Sequence, residues 1–466
     1  MESSIRSGGP ATDLVSAISL DQAMSGLGEG ADFRQDQWDQ SAMTDQTVDR
    51  GAVAFRPDDS VIRKTELIIS GVLRGGVLLS VAVILGGISY FYALRFAGLL
   101  PHPTFPDTLP AVATGLLRGG PLAIVVLGLL ILLATPVIRV AVSIAAFAIE
   151  EDRTYVMITA LVLAILLFSI FGIGAWLGRP EPAVVQDDTM TFFISVLLSS
   201  VFAGFVGALV GLGGGVFIVP ILTLVFHVTF TAAIGASIVS VIATSSGAAA
   251  AYVRDRMTNL RVGMFLEVAT TTGAICGALL STLLNASVLF IVFGVVLLIS
   301  AAPLIMRLGE ELPAGVANHK WATKLRLPGT YPDRRTQRDV SYHVAHIRSG
   351  FSMMYVAGLI SGLLGIGSGT FKVLAMDTAM RLPMKVSTTT SNFMIGVTAA
   401  ASAGIFFQRG DIDPAIAAPV ALGVLLGATV GAKILTRMSN VWLKKIFVPV
   451  IVLVALNMLA RGMGWL

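Results

Sequence analysis

The chain has 466 residues, of which 55% are hydrophobic and 13% charged, about half the charged fraction of an ordinary soluble domain. Its mean hydropathy of +0.83 and its 48 glycines point to lipid as the main solvent, and a single cysteine, Cys276, excludes a disulfide framework or a multi-cysteine metal site. The net charge of +4 lies largely in loops between apolar runs, where membrane topology accounts for it before nucleic acid does.

Residues 1–60 are polar, rich in Asp, Ser, Gly and Gln, and have no apolar core of signal-peptide length. They are expected to form a disordered cytosolic tail, with at most a short helix over 14–24. Three transmembrane helices follow at 75–95, 122–149 and 155–177, making one unit over 61–180. Between 191 and 253 there is no Lys, Arg, Asp or Glu. Further apolar runs occupy 264–284, 288–306, 351–380, 386–407, 414–435 and 441–459, with a basic cytosolic loop at 307–349. The pattern predicts an all-α polytopic membrane protein, because lipid offers backbone groups no partner outside helices or closed barrels and these runs lack barrel alternation.

The chain repeats itself. Shifting it by 154 residues lays GFVGALVGLGGGVFIV, from Gly204, on GLISGLLGIGSGTFKV, from Gly358, without a gap. Gly211, Gly213 and Gly215 fall on Gly365, Gly367 and Gly369, and Phe217, Val219 and Ser237 fall on Phe371, Val373 and Ser391. Farther on, Gly273, Ala274, Gly277 and Ala278 meet Gly427, Ala428, Gly431 and Ala432. The two repeats span 191–306 and 350–466. Each opens with a stretch too long for one crossing: 191–226 would make a helix of about 54 Å at ~1.5 Å per residue, nearly twice the ~30 Å hydrocarbon core. It must break at its glycines. Counted as two legs, the broken stretch gives each repeat five, so the second repeat enters from the opposite side. The charges agree: with Arg56, Arg63 and Lys64 inside, this count places Asp187 and Asp188 outside and both Arg254, Arg256, Arg261 and the basic loop inside. Inverted repeats with broken helices are a common construction of secondary transporters.

The paired motifs GLGGGVFIVPIL and GLLGIGSGTFKV, with a GA-x-x-GA pattern closing each half, resemble those of the sulfite exporter TauE/SafE-like transporter family over about 191–459. The family's second motif is ordinarily a fuller glycine run followed by apolar residues and a proline; this chain has GSG, then Lys372 and Leu374. The helices of 61–177 resemble an uncharacterised three-helix membrane family often paired with such permeases. The resemblance implies a permease for a sulfur-containing anion such as sulfite or a sulfonate.

The residues themselves say only anion. A glycine break frees backbone N–H groups at the start of the next half-helix, where the helix dipole favours negative charge. The bland alternative is tight helix crossing through small residues. The substrate-lining candidates are Gly213, Gly214 and Gly215 in the first break, and Gly367, Ser368, Gly369 and Thr370 in the second. Lys372, three residues past Gly369, is expected deep in the membrane, where a cation is expensive and usually functional; its repeat mate is Ile218. Against that stand pairing with Asp377 and snorkelling to the surface. The run STTTSN offers Thr388, Ser391 and Asn392, with Ser237 as first-repeat counterpart, although helical Ser and Thr often bond their own i−4 carbonyl. Asp377 and Arg381, four apart, are expected to pair on one helical face. Glu267 is a minor candidate for a proton-coupling carboxylate, set against its expected place near the inner end of its helix, where it would be hydrated; Arg139 is expected to snorkel past a kink at Pro136, and His227 to lie at the interface. His343 and His346 lack further ligands for a metal. Neither glycine string is a nucleotide motif.

The sequence therefore supports a cytoplasmic-membrane permease moving a small anion by alternating access, with the lipid bilayer and the anion as its partners, no cofactor, no metal, no nucleic acid and no enzymatic residue set. It leaves open homo-oligomerisation through the GA-x-x-GA helices. The rival readings are an anion channel on the same fold and a non-transporting scaffold or sensor.

Overall fold

The computed structural model describes residues 59–98, 105–106, 108–173, 189–210, 214–306, 320–333, 338–435 and 440–465; the polar tail and Gly213 lie outside them. The described chain is helical apart from one small hairpin: α1 (Asp59–Phe96), α2 (Leu109–Leu117), α3 (Pro121–Ile149), α4 (Arg153–Leu167, continued by a π-helical turn Phe168–Ile173), α5 (Thr189–Val210), α6 (Gly215–Leu224), α7 (Phe230–Arg254), α8 (Leu260–Leu283), α9 (Ala286–Met306), α10 (Lys320–Lys324), β1 (Gly329–Asp333), β2 (Arg338–Tyr342), α11 (Ile347–Leu364), α12 (Gly369–Leu374, continued by a π-helical turn Ala375–Ala379), α13 (Met384–Gln408), α14 (Pro414–Leu435) and α15 (Asn440–Gly462). Nine helices among the described residues are long and apolar enough to cross a membrane. Leu78, Leu79, Leu198, Phe202, Leu426 and Leu453 stand exposed on the outside, as lipid-facing side chains must. The chain is an all-α polytopic membrane protein.

The 154-residue shift is written into the packing. The glycines of α8 lie against backbone of α11: a Cβ on Gly273 would sit 2.2 Å from the Tyr355 carbonyl oxygen, and one on Gly277 2.0 Å from that of Leu359. Their mates on α14 do the same to α5, with Gly427 at 2.0 Å from the Val201 oxygen and Gly431 at 2.7 Å from that of Phe205. Val201 and Phe205 are themselves the mates of Tyr355 and Leu359. Positions rise together along each pair, so α8 runs parallel to α11 and α14 to α5. In contrast α7 and α13 run antiparallel: a Cβ on Gly235 would meet the Asp411 oxygen, whereas Thr389 donates to the Met257 carbonyl. Helices α9 and α15 are likewise antiparallel, with Gly294 against Ala455 and Gly462 against Ser287. Such exchange of like partners is what a two-fold axis lying in the membrane plane produces. The glycines of both GA-x-x-GA patterns are thereby packed on backbone within one chain.

Both long openings are folded into hairpins. The start of α5 and the end of α6 meet through Phe192 and Phe226, rings 5.8 Å apart. The Ala345 N–H, just before α11, donates to the Met380 carbonyl beyond α12 at 3.0 Å. The repeat shift carries Phe192 onto His346 and Phe226 onto Met380, so the two hairpins close at corresponding places to within one residue.

The first three spanning helices are docked on the repeats. Ser70 of α1 donates to the Ala250 carbonyl of α7 at 2.7 Å, and Arg256 lies 3.4 Å from Glu66. At the basic end Arg261 of α8 reaches Glu150 and Asp152, both at 3.3 Å, and the Tyr155 hydroxyl donates to Leu325 in the loop bearing the β-hairpin. Burial raises the Glu150 carboxyl above its ordinary range and the Arg261 guanidinium pulls it partly back. Asn259 caps α8, donating to the Leu327 carbonyl and the Tyr342 hydroxyl at 2.8 and 2.7 Å. This hairpin closes over the start of α8, a feature with no counterpart in the expected loop.

Candidate functional site

The two breaks meet at the middles of α7 and α13. Chain reversal at the second break uses left-handed backbone at Gly365 (φ +68°), Gly367 (φ +71°) and Ser368 (φ +46°). A Cβ at Gly365 would meet the Ile234 oxygen at 2.8 Å and one at Gly367 the Val241 side chain at 2.7 Å, so both conformation and space demand glycine. Ser237 of α7 ties the breaks together: its hydroxyl lies 3.1 Å from the Gly215 oxygen and 2.8 Å from that of Gly365. Its mate Ser391 lies 3.1 Å from the Gly369 oxygen.

These bonds revise part of the expected lining. Ser237 and Ser391 have one donor each and give it to break carbonyls, so they hold the scaffold. Asn392 donates to the Thr388 carbonyl at 3.1 Å, a local i−4 bond. Thr389 and Thr390 bond the α7–α8 turn through Met257 and Asn259. At the breaks themselves, Gly214 caps α6 and packs on Val424, and Gly369 packs on Ile395. Ser368 caps α12 and its hydroxyl is buried with no hydrogen-bond partner among the described residues. Thr370 follows it, half-buried.

Lys372 is fully buried. It neither reaches the surface nor turns to Asp377. Helical side chains lean toward the N-terminus, and its ammonium points back along α12 to donate to Thr398 Oγ1 at 2.6 Å. That hydroxyl lies 3.2 Å from Glu267 Oε2, which also accepts from Thr270 at 2.9 Å. Glu267 is itself fully buried and its Oε1 has no partner among the described residues. The hydration expected for it fails because Glu267 is packed in the bundle interior against Thr270 and Thr398, the latter bonded to Lys372. Arg139 also departs from expectation: it is fully buried, with its guanidinium carbon 4.1 Å from the centroid of the Phe393 ring. It and Lys372 both act electrostatically on Glu267. Asp377 lies in the π turn and Arg381 beyond it in left-handed backbone. His227 is exposed in the turn after α6.

Sequence reasoning places Glu267 in a hydrated position and Arg139 in a snorkelling one, whereas the structure buries both fully. The signal for them is the one that singles out Lys372, an ionisable side chain inside an apolar span.

A pseudo-two-fold pair of re-entrant hairpins enclosing one asymmetric cluster of buried charge defines a membrane transporter of the inverted-repeat class. The family described as sulfite exporter TauE/SafE matches residues 196–458, more than half of the chain, and the protein belongs to that family. A second family, described as a protein of unknown function (DUF1634), matches residues 69–171. Among curated proteins the chain is similar to "Probable membrane transporter protein YunE" of Bacillus subtilis, 28% identical over 59% of this chain and 99% of the relative. It is also similar to "Probable membrane transporter protein YdhB" of the same organism, 26% identical over 55% of this chain and 94% of the relative, and to a "Probable membrane transporter protein" of Xylella fastidiosa at 24% over 59% and 97%. No solved structure matches the chain.

Proposed function

We propose that the protein is a cytoplasmic-membrane permease, without enzymatic activity, that moves a small oxyanion, sulfite or a sulfonate, by alternating access. The observation that carries this reading is the position of Lys372, a fully buried cation within one helical turn of the second break, which Ser237 joins to the first. A lone charge in lipid costs roughly 2.5–3.5 kcal/mol on insertion scales, and a function that uses it accounts for its retention. In this reading Lys372 balances the anion's charge while backbone N–H groups around Gly213 to Gly215 and Gly367 to Gly369, with the Ser368 and Thr370 hydroxyls, grip its oxygens. Thr388 and Asn392 shape the approach, and Ser237 and Ser391 fix the frame. The two hairpins open to opposite ends of the bundle, so rocking one repeat against the other exposes the same cluster alternately. The sulfur-containing substrate is supported by the family's description, not by residue chemistry.

The test is flux of labelled sulfite in proteoliposomes. Saturable uptake with counterflow is expected, and Lys372→Met should lower it at least tenfold while the protein remains inserted and monodisperse. Flux that rises linearly without counterflow would make the protein a channel. Binding without flux would make it a sensor.

A further inference from the structure

We infer that Arg139, a residue of the N-terminal three-helix unit, is an anion-binding residue of the transporter, so that the substrate site is built jointly by the two matched regions. The inference rests on the anion-permease reading and adds to it the residue that recognises an oxyanion's shape. Arg139 lies on α3, whose neighbours include α7 and α13 of the two repeats. It is fully buried, and none of its three side-chain nitrogens has a hydrogen-bond partner among the described residues. Its guanidinium lies over the face of Phe393, a contact that leaves the N–H edge unspent. An interior arginine ordinarily has its five donors engaged. Glu267 Oε1 is also a buried acceptor without a partner among the described residues, and one carboxylate oxygen could not take five donors.

The charges fit the same conclusion. At their formal charges the buried Lys372, Arg139 and Glu267 sum to a single positive charge, the complement of a monoanion. The two cations differ in kind. Lys372 is a point charge already holding Thr398, whereas the planar guanidinium presents paired N–H groups that match two oxygens of one oxyanion. Phe393 stacked on its face fixes that plane. Arg139 therefore confers preference for oxyanions over spherical anions, and the N-terminal unit supplies specificity to a scaffold that provides the path.

Equilibrium binding of sulfite, methanesulfonate and chloride to the full-length purified protein tests this. Arg139→Lys keeps the charge and loses the fork: sulfite and methanesulfonate affinity should fall at least tenfold while chloride affinity changes less than threefold. Arg139→Gln should weaken the oxyanions further. If neither variant inserts, Phe393→Leu carries the same readout, because it frees the guanidinium plane without removing charge, and the ratio of oxyanion to chloride affinity should drop at least threefold. Unchanged sulfite affinity and an unchanged ratio in any folded variant would overturn the inference, as would a parallel loss for all three anions, which marks a structural role. A wild-type protein that binds none of the anions would instead overturn the permease reading.

Discussion

Ser237 and Ser391, one in each repeat, lie the same 3.1 Å from the last glycine carbonyl of their own breaks, and Gly273 and Gly427 press closely on the backbone of the opposite repeat. Yet Ile218 stands where the second repeat has Lys372, and Ala421 stands where the first has Glu267. Thr398 does have a hydroxyl mate, Thr244, and both bond the i−4 carbonyl of their own helix at 3.0 Å, but only Thr398 also meets Lys372 and Glu267. The comparison separates what the symmetry is for from what it is not for. Backbone geometry is the same in both halves, because each half packs its glycines directly on the backbone of the other. Charge is not, since every ion buried in lipid is costly and must be compensated. One cluster built across the axis joins Lys372 of one repeat to Glu267 of the other through Thr398, so a single set of buried ions is compensated between the halves.

The symmetric half of this comparison breaks hardest at the helix crossings. Adding a methyl to Gly273 or Gly427 drives a Cβ to 2.2 or 2.0 Å from a backbone oxygen, and backbone, unlike a side chain, has no other rotamer to adopt. Gly273→Ala and Gly427→Ala should each abolish the monodisperse peak in size-exclusion chromatography, and to the same degree. Gly247→Ala on α7, where an added Cβ has nothing within 4 Å, should elute as wild type. Tolerance of one crossing variant but not its mate would show that the two halves are not mechanically equivalent.

The asymmetric half is sharpened by building the missing charges. Ile218 and Ala421 are both buried, at 0% and 1% exposure. Ile218→Lys places an uncompensated cation there and should cost roughly 3–5 kcal/mol, seen as a large fall in thermal stability in detergent. Adding Ala421→Glu should recover part of that loss if the mirror positions face each other as Lys372 and Glu267 do. A double variant no more stable than Ile218→Lys alone would mean that the mirror pocket is not a true image.

Much of this was legible beforehand because it is periodic or topological. The gapless 154-residue repeat required matching backbones, the length of 191–226 required a break, and the distribution of Arg254, Arg256 and Arg261 gathered one end of the bundle. What stayed hidden depends on contacts between distant elements. Glu267 reads as a carboxylate near a helix end, and only the packing of α13 against α8, which brings Thr398 to 3.2 Å from it, shows that it is interior. Arg139 reads as a cation on the wrong domain, and its place over Phe393 depends on how α3 docks against α13. The STTTSN hydroxyls invited a substrate, but a hydroxyl's partner is decided by the nearest carbonyl, and for Ser391 that is Gly369.

The smallest effect decides between frame and lining for the two serines. Each gives its single proton to a break carbonyl, and losing one such neutral bond costs about 1 kcal/mol. Ser237→Ala and Ser391→Ala should therefore lower the melting temperature by a few degrees, with Ser237→Ala at least as costly because its hydroxyl also lies 2.8 Å from Gly365. Neither should change the KM for sulfite more than twofold, since a frame residue alters stability without touching the anion. A KM that rises several-fold for Ser391→Ala but not for Ser237→Ala would return Ser391 to the binding surface and place the anion on the second-repeat side of the axis, next to Lys372.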